Sequence, residues 1–166
     1  MSERGQHTRV QLIVFHVEQI EFAVPIDQVW RVELLSDHTI TRVPRALPFL
    51  IGVINVRGQV IPLFDLASRL GFPSSGLPAK ARVIIVEMDD QRVGLIVDGV
   101  HDIRWFPTAK IEPPPPTIAQ INGVFVNGVG KEDDRLLVIL DLCEVLTPGE
   151  RQQLQEMHTE AGATSS

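Results

Sequence analysis

Asp27 and Asp98 come closest to suggesting catalysis in this sequence, because two carboxylates are the smallest set that can share general-acid and general-base work. Each ends an apolar run and stands two residues before a valine, Val29 and Val100. Neither has the polar companions a reacting centre needs. An aspartate at the end of a strand satisfies free backbone N–H groups, so both are expected to close turns. Asp65 and Asp141, each followed by leucine, are assigned the same role. The histidines, His7, His16, His38, His101 and His158, show no metal-ligand spacing, and Cys143 has no partner at such spacing. His16 falls on the polar phase of a strand pattern, as a surface histidine does. No Walker loop, G-x-G-x-x-G or G-x-S-x-G is present, and tyrosine is absent. The sequence offers no catalytic, cofactor or metal set, and a protein that is not an enzyme is expected.

Arg57 suggests binding instead. It stands beside Gly58 in Val56-Arg57-Gly58-Gln59, between two apolar runs, which reads as a tight hairpin with Gly58 supplying a positive φ. An unpaired guanidinium is costly to bury, so Arg57 is expected to point outward at the tip. Pro62 lacks an N–H and should occupy an edge or a bulge. The run Pro113-Pro114-Pro115-Pro116 reads as a stiff polyproline connector, and it lacks the flanking basic residue that would favour a recognition motif.

The elements that would hold these residues follow from composition and pattern. With 166 residues and 44% hydrophobic content the chain can build its own core. A net charge of -6 argues against nucleic acid and against an anionic membrane surface. One cysteine, no signal-peptide pattern and no run of about 20 apolar residues fit a cytoplasmic protein without membrane insertion.

The chain also repeats itself. Shifted by 71 residues, Leu12–Val17 falls on Val83–Met88, Phe22–Val29 on Val93–Val100, and Gly52-Val53-Ile54 on Gly123-Val124-Phe125. Shifted by 76, Ile61–Leu66 falls on Leu137–Leu142, so five extra residues are placed around Gly130–Asp134. Short β-rich runs fill both halves, about 12–70 and 83–146, with Gly71–Lys80 between them. The first half carries strands over Gln11–Val17, Ile20–Val24, Arg31–Leu35, Thr39–Val43, Val53–Val56 and Gln59–Phe64. The second carries Arg82–Met88, Arg92–Val97, Ile103–Phe106, Val124–Val129 and Arg135–Leu140. The reading is all-β: two packed five-stranded barrels related by duplication, with short helices at Asp65–Leu70 and Asp141–Leu146. Thr147, Pro148 and Glu150 open a C-terminal helix as cap, first residue and capping-box acid, and a frayed tail is expected from Glu160.

The stretch Gly52–Leu66 resembles the signature of the chemotaxis coupling (CheW-like) proteins, G-x-x-N-x-R-G followed by a proline and Asp-Leu, at Gly52, Asn55, Arg57, Gly58, Pro62, Asp65 and Leu66. Val93–Val100 is a second family-like string, and the resemblance runs from about Gln11 to Leu146. It implies two SH3-like barrels in a single domain, 8–148, followed by a helix and flexible tail, 149–166. It implies an adaptor without catalytic residues or cofactors, recruited to receptor arrays at the inner membrane. Its partners would be methyl-accepting receptors and the regulatory domain of the histidine kinase CheA. The receptor groove between the barrels would be lined by Val29, Trp30, Arg31, Arg57 and Ile103. Arg31 departs from the acidic residue many family members carry there. A pilus-type chemosensory pathway is the near alternative, and a small-molecule-binding barrel the remote one.

Overall fold

The computed structural model describes residues 9–165 apart from 44–46, 48, 74–75 and 89–90, with side chains described as far as Glu156. The strands are β1 (Arg9–Val17), β2 (Ile20–Pro25), β3 (Val29–Leu34), β4 (Leu50–Val56), β5 (Gln59–Asp65), β6 (Arg82–Met88), β7 (Gln91–Val97), β8 (Gly99–Pro107), β9 (Ile111–Glu112), β10 (Gln120–Ile121), β11 (Val124–Glu132) and β12 (Arg135–Leu140). Helix α1 (Leu66–Arg69) follows β5, and α2 (Pro148–Ser165) ends the chain. Thr39–Val43, expected as a strand, contributes only a bridge from Thr41 to Val53. Helix α2 continues past Glu160 to Ser165, where a frayed tail was expected. No proline interrupts that stretch and alanine favours helix.

The strands form two sheets. One has the order β10-β11-β12-β2-β1-β8, with β9 also on β11, and the other has the order β3-β6-β7-β5-β4. In the first sheet β8 leads through a 3-10 turn at Thr108–Lys110 to β9 on the β11 side, which closes the sheet into a small barrel. In the second, the Thr41–Val53 bridge does the same work between the end of β3 and β4. The all-β, two-barrel reading therefore holds.

The barrels are not the two halves of the sequence. The β1–β2 hairpin of the first half lies in the sheet with β8–β12, and the β6–β7 hairpin of the second half lies in the sheet with β3–β5. Parallel pairs make both joints, β2 with β12 and β5 with β7. The segments 12–70 and 83–146 are repeats that exchange their first two strands, not separate barrels. We call the β1-containing barrel A and the β3-containing one barrel B.

The ladders show that the repeat is real. Ile13 faces Ile103 in barrel A and Ile84 faces Val32 in barrel B, pairs related by a shift of 71 in opposite directions. Both ladders slip at the same place, at Val100–Asp102 and at Val29–Arg31. Farther along, Leu50 faces Phe64 and Val126 faces Leu140, each ladder slipping at the next pair, and here the shift is 76 on both strands. Gly52 thus corresponds to Gly128, and both are buried, whereas Gly123, the expected partner, is exposed. Thr41 and Glu112 still match at 71 through their bridges to Val53 and Val129. The five extra residues therefore enter between Glu112 and Val126, beside the proline run, and not at Gly130–Asp134. A glycine followed by apolar residues at Gly123 was the decoy. Five is odd, so accepting that decoy would turn every β11 side chain to the wrong face.

Three apolar clusters follow from this arrangement. Leu12, Val14, Ala23, Phe106, Leu137 and Ile139 fill barrel A. Ile54, Val56, Ile61, Leu63, Val83 and Ile85 fill barrel B. The largest, with Ile13, Phe15, Phe22, Val24, Ile84, Val86, Leu95 and Val97, lies between the barrels. Alternation explains it: the exchanged hairpins turn one face into a barrel and the other toward the opposite hairpin.

Candidate functional site

Asp65 and Asp141 do what their type predicts. Asp65 accepts the Ala67 N–H at 3.2 Å and Asp141 the Cys143 N–H at 3.2 Å, each capping the turn after its strand. Asp141 also accepts from Gln28 Nε2 at 3.2 Å, while Gln28 Oε1 takes the Leu142 N–H at 3.0 Å. Asp98 accepts the Glu18 N–H at 2.8 Å, which ties it to the β1–β2 turn. Asp27 lies in the 3-10 turn Ile26–Gln28, and Asp89, which the repeat sets against Glu18 in the sequence, is outside the described residues. Asp27 and Asp98 sit in different barrels, each at the entry to an edge strand.

The β4–β5 turn has two residues, and both have positive φ, Arg57 at 52° and Gly58 at 80°. This is the twist that joins two strands most tightly. Only Gly58 was expected in that region. Arg57 is exposed, and among the described residues no hydrogen bond or ion pair holds its side chain. Pro62 lies on an inner strand, one residue before β5 begins to pair with β7 at Leu63, so its missing N–H breaks no ladder there.

Trp30 sits in the bulge where β3 slips against β6, so ladder bonds alone do not fix it. Its ring packs against the barrel B cluster, has Arg31 5.7 Å from its centre, and is braced from β7 by Arg92. The Arg92 guanidinium lies 3.9 Å from the centre of the Trp30 ring. Its Nε and Nη2 donate to Glu87 Oε2 at 3.0 and 2.7 Å, and its Nη1 donates to Gln59 Oε1 at 2.8 Å. Gln59 is the first residue after the Arg57–Gly58 turn. Arg92 therefore ties β3 to the base of the hairpin tip across β6, β7 and β5. Sequence reasoning missed Arg92, Glu87 and Gln59. The signal that could have found them is the repeat itself, which sets Arg92 against the oppositely charged Glu21.

The same four positions in barrel A hold His101, His16, Glu21 and Arg135. Glu21 pairs with Arg135, His101 Nε2 is 3.9 Å from Glu21 Oε2, and the His16 and His101 rings are 4.7 Å apart. His16 is half-buried, with no partner for Nδ1 among the described residues, rather than a plain surface histidine. The duplicated hub thus has a cationic centre in barrel B and an anionic one in barrel A. The flanking pair is reversed too. Arg31 Nε donates to Glu33 Oε2 at 2.7 Å, and at the matching positions Arg104 Nε contacts Asp102 Oδ2 at 3.3 Å. The Arg31 hydrogen bond holds the Glu33 carboxyl below its usual range against the opposing effect of burial, with His38 assisting at 2.9 Å.

Val29 packs against the inter-barrel cluster, as does Val32. Ile103, on β8 of barrel A, faces Ile13 of that cluster across the ladder and is 54% exposed. Trp30 packs against the interior of barrel B. The contacts thus join Val29, Trp30, Arg31 and the hairpin tip within one barrel, and place Ile103 on the other. Among the described residues no group of three His, Cys, Asp or Glu is arranged to hold a metal. A hollow of about 200 Å³ is lined by Glu18, Asp65, Leu77 and Asp98, among others, and the bonds above already engage the Asp65 and Asp98 carboxylates.

A family model for the CheW-like domain matches residues 11–149, which covers both barrels. The chain belongs to the CheW-like family. It is 36% identical over 139 residues to the chemotaxis protein CheW of Bacillus subtilis, covering 84% of this chain and 88% of that protein. It is 33% identical over 117 residues to the protein PilI of Pseudomonas aeruginosa, covering 70% of this chain and 65% of PilI. The crystal structure of the scaffolding protein TtCheW from Thermoanaerobacter tengcongensis superposes with a TM-score of 0.76 at 35% identity, covering 85% of this chain and 94% of that one. CheW-like proteins are scaffolds and adaptors of chemotactic signalling. Among the described residues no helix is long and apolar enough to cross a membrane.

Proposed function

We propose that this protein joins methyl-accepting receptors to the regulatory domain of the histidine kinase CheA, by binding both and catalysing nothing itself. The CheW-like match across both barrels carries this reading. The adaptor works at the cytoplasmic side of the inner membrane, where receptor arrays assemble. Val29, Trp30, Arg31, Arg57 and Ile103 form its receptor surface. Three features support that surface: Val29 packs against the inter-barrel cluster while Ile103 pairs across the ladder with its member Ile13, Trp30 is braced against the hairpin base, and the Arg57 guanidinium has no partner within the described chain. A guanidinium held in a tight turn suits bidentate capture of a carboxylate or a backbone carbonyl.

The test is a reconstituted kinase assay. Added to the kinase and receptor-bearing membranes, the protein should raise autophosphorylation, and alone it should turn over no substrate. Kinase activity that ignores the protein with every receptor class would overturn the reading. The similarity to PilI favours a second reading, a pilus-associated chemosensory pathway. Activation with that pathway's receptor and kinase, and not with a flagellar set, would select it.

A further inference from the structure

We propose that Arg92 is the positioning residue of the receptor surface: by clamping Trp30 to the base of the Arg57–Gly58 hairpin it sets the affinity of that surface. This rests on the receptor reading above. Arg92 engages three of its five N–H donors inside the barrel, two on Glu87 and one on Gln59, and its guanidinium carbon lies 3.9 Å from the Trp30 ring centre. Its charge is matched locally, so what it contributes to a partner is geometry.

Both groups it clamps need a clamp. Trp30 stands in a bulge, where the ladder slips, and Gln59 is exposed at the foot of a two-residue turn. Left alone, the ring and the tip would fluctuate separately, and a partner touching both would have to order both on binding. Arg92 pre-orders them with one planar group, which an ammonium cannot imitate. The matching place in barrel A has a carboxylate at its centre and imidazoles in place of indole, so the arrangement around Trp30 is not repeated at that place.

The protein has two tryptophans, so Trp105→Phe leaves Trp30 as the sole indole reporter. In that background Arg92→Ala, Arg92→Lys and the parent are titrated with a soluble receptor fragment carrying the cytoplasmic hairpin tip, and separately with the kinase regulatory domain. Arg92→Ala should weaken fragment binding about tenfold, and Arg92→Lys should recover only part of that. Trp30 emission in the free protein should shift to the red as the ring gains water, while kinase-domain affinity stays unchanged. Fragment binding equal to the parent's, with Trp30 emission already shifted, would overturn the inference and leave the receptor reading standing. Equal losses toward fragment and kinase domain with a lowered melting temperature would overturn it too, since Arg92 would then merely hold the barrel together. A parent protein that fails to bind the fragment at all would bring down the receptor reading and this inference together.

Discussion

Arg57 carries a side chain where the backbone, at φ 52°, favours none. A non-glycine residue in that region costs about 1 kcal/mol. No described contact within the chain offsets that cost, in keeping with the receptor-binding role proposed for the arginine. Arg57→Ala should leave the melting temperature nearly unchanged and weaken receptor-fragment binding by about 2 kcal/mol, roughly thirtyfold. Arg57→Lys should restore part of the affinity. Arg57→Gly should lose the same affinity yet gain up to about 1 kcal/mol in denaturant unfolding. Lost stability with binding intact would instead make Arg57 an internal brace. Glu33 gives a second residue-scale expectation. Its carboxyl is depressed chiefly by the Arg31 hydrogen bond, so its folded pKa lies below its unfolded one. Such a group adds stability above the unfolded value and loses it as pH falls through the folded value. Glu33→Gln should therefore be less stable than the parent near neutral pH, and the gap should narrow in urea titrations as pH falls through the carboxylate range.

At the scale of elements, the two barrels solve one packing problem in two ways. A Cβ on Gly130 would sit 2.8 Å from Phe106. The matching positions in barrel B are Ile54 and Leu35, both in that barrel's cluster. One barrel has a large and a missing side chain where the other has two of middling size. Gly130→Val should overpack barrel A by about 1–3 kcal/mol, and Phe106→Leu should cost a similar amount by leaving a void. The double substitution should cost less than the two together by at least about 1 kcal/mol, measured by chemical denaturation as a double-mutant cycle. Additive losses would mean that the volumes are not exchanged. Hairpins, caps and the opening of α2 were legible in the sequence because each is written within a few residues. Thr147 and Glu150 do exchange bonds, at 2.9 and 3.1 Å. The position of the insertion was not legible. Gly123 imitated Gly52 in type, and only the ladder told the two registers apart.

At the scale of the whole molecule, the exchange of hairpins ties each half to the other. Residues 1–76 hold β1 and β2 but not the strands they sit between, β8 and β12. Fragments 1–76 and 77–166 should each be largely unfolded by circular dichroism, and should regain the native spectrum and kinase-domain binding when mixed. A fragment that folds alone would contradict the shared architecture. This was beyond the sequence for a physical reason: Phe22 pairs in parallel with Val138, and a contact so distant along the chain leaves no local pattern. The site divides the same way. Arg57 announced itself through its neighbours Asn55 and Gly58, whereas Arg92 draws partners from three other strands and is silent in any short window. The exchange also says something about descent. A single repeat that lends its first hairpin to a second copy would make a closed twofold dimer, stable only when concentrated enough to pair. Joining the copies through Gly71–Lys80 replaces that dependence with a fixed effective concentration. It also frees the copies from having to be identical. Arg92 and Glu21, and Arg31 and Asp102, are matching positions at which the two copies now carry opposite charges.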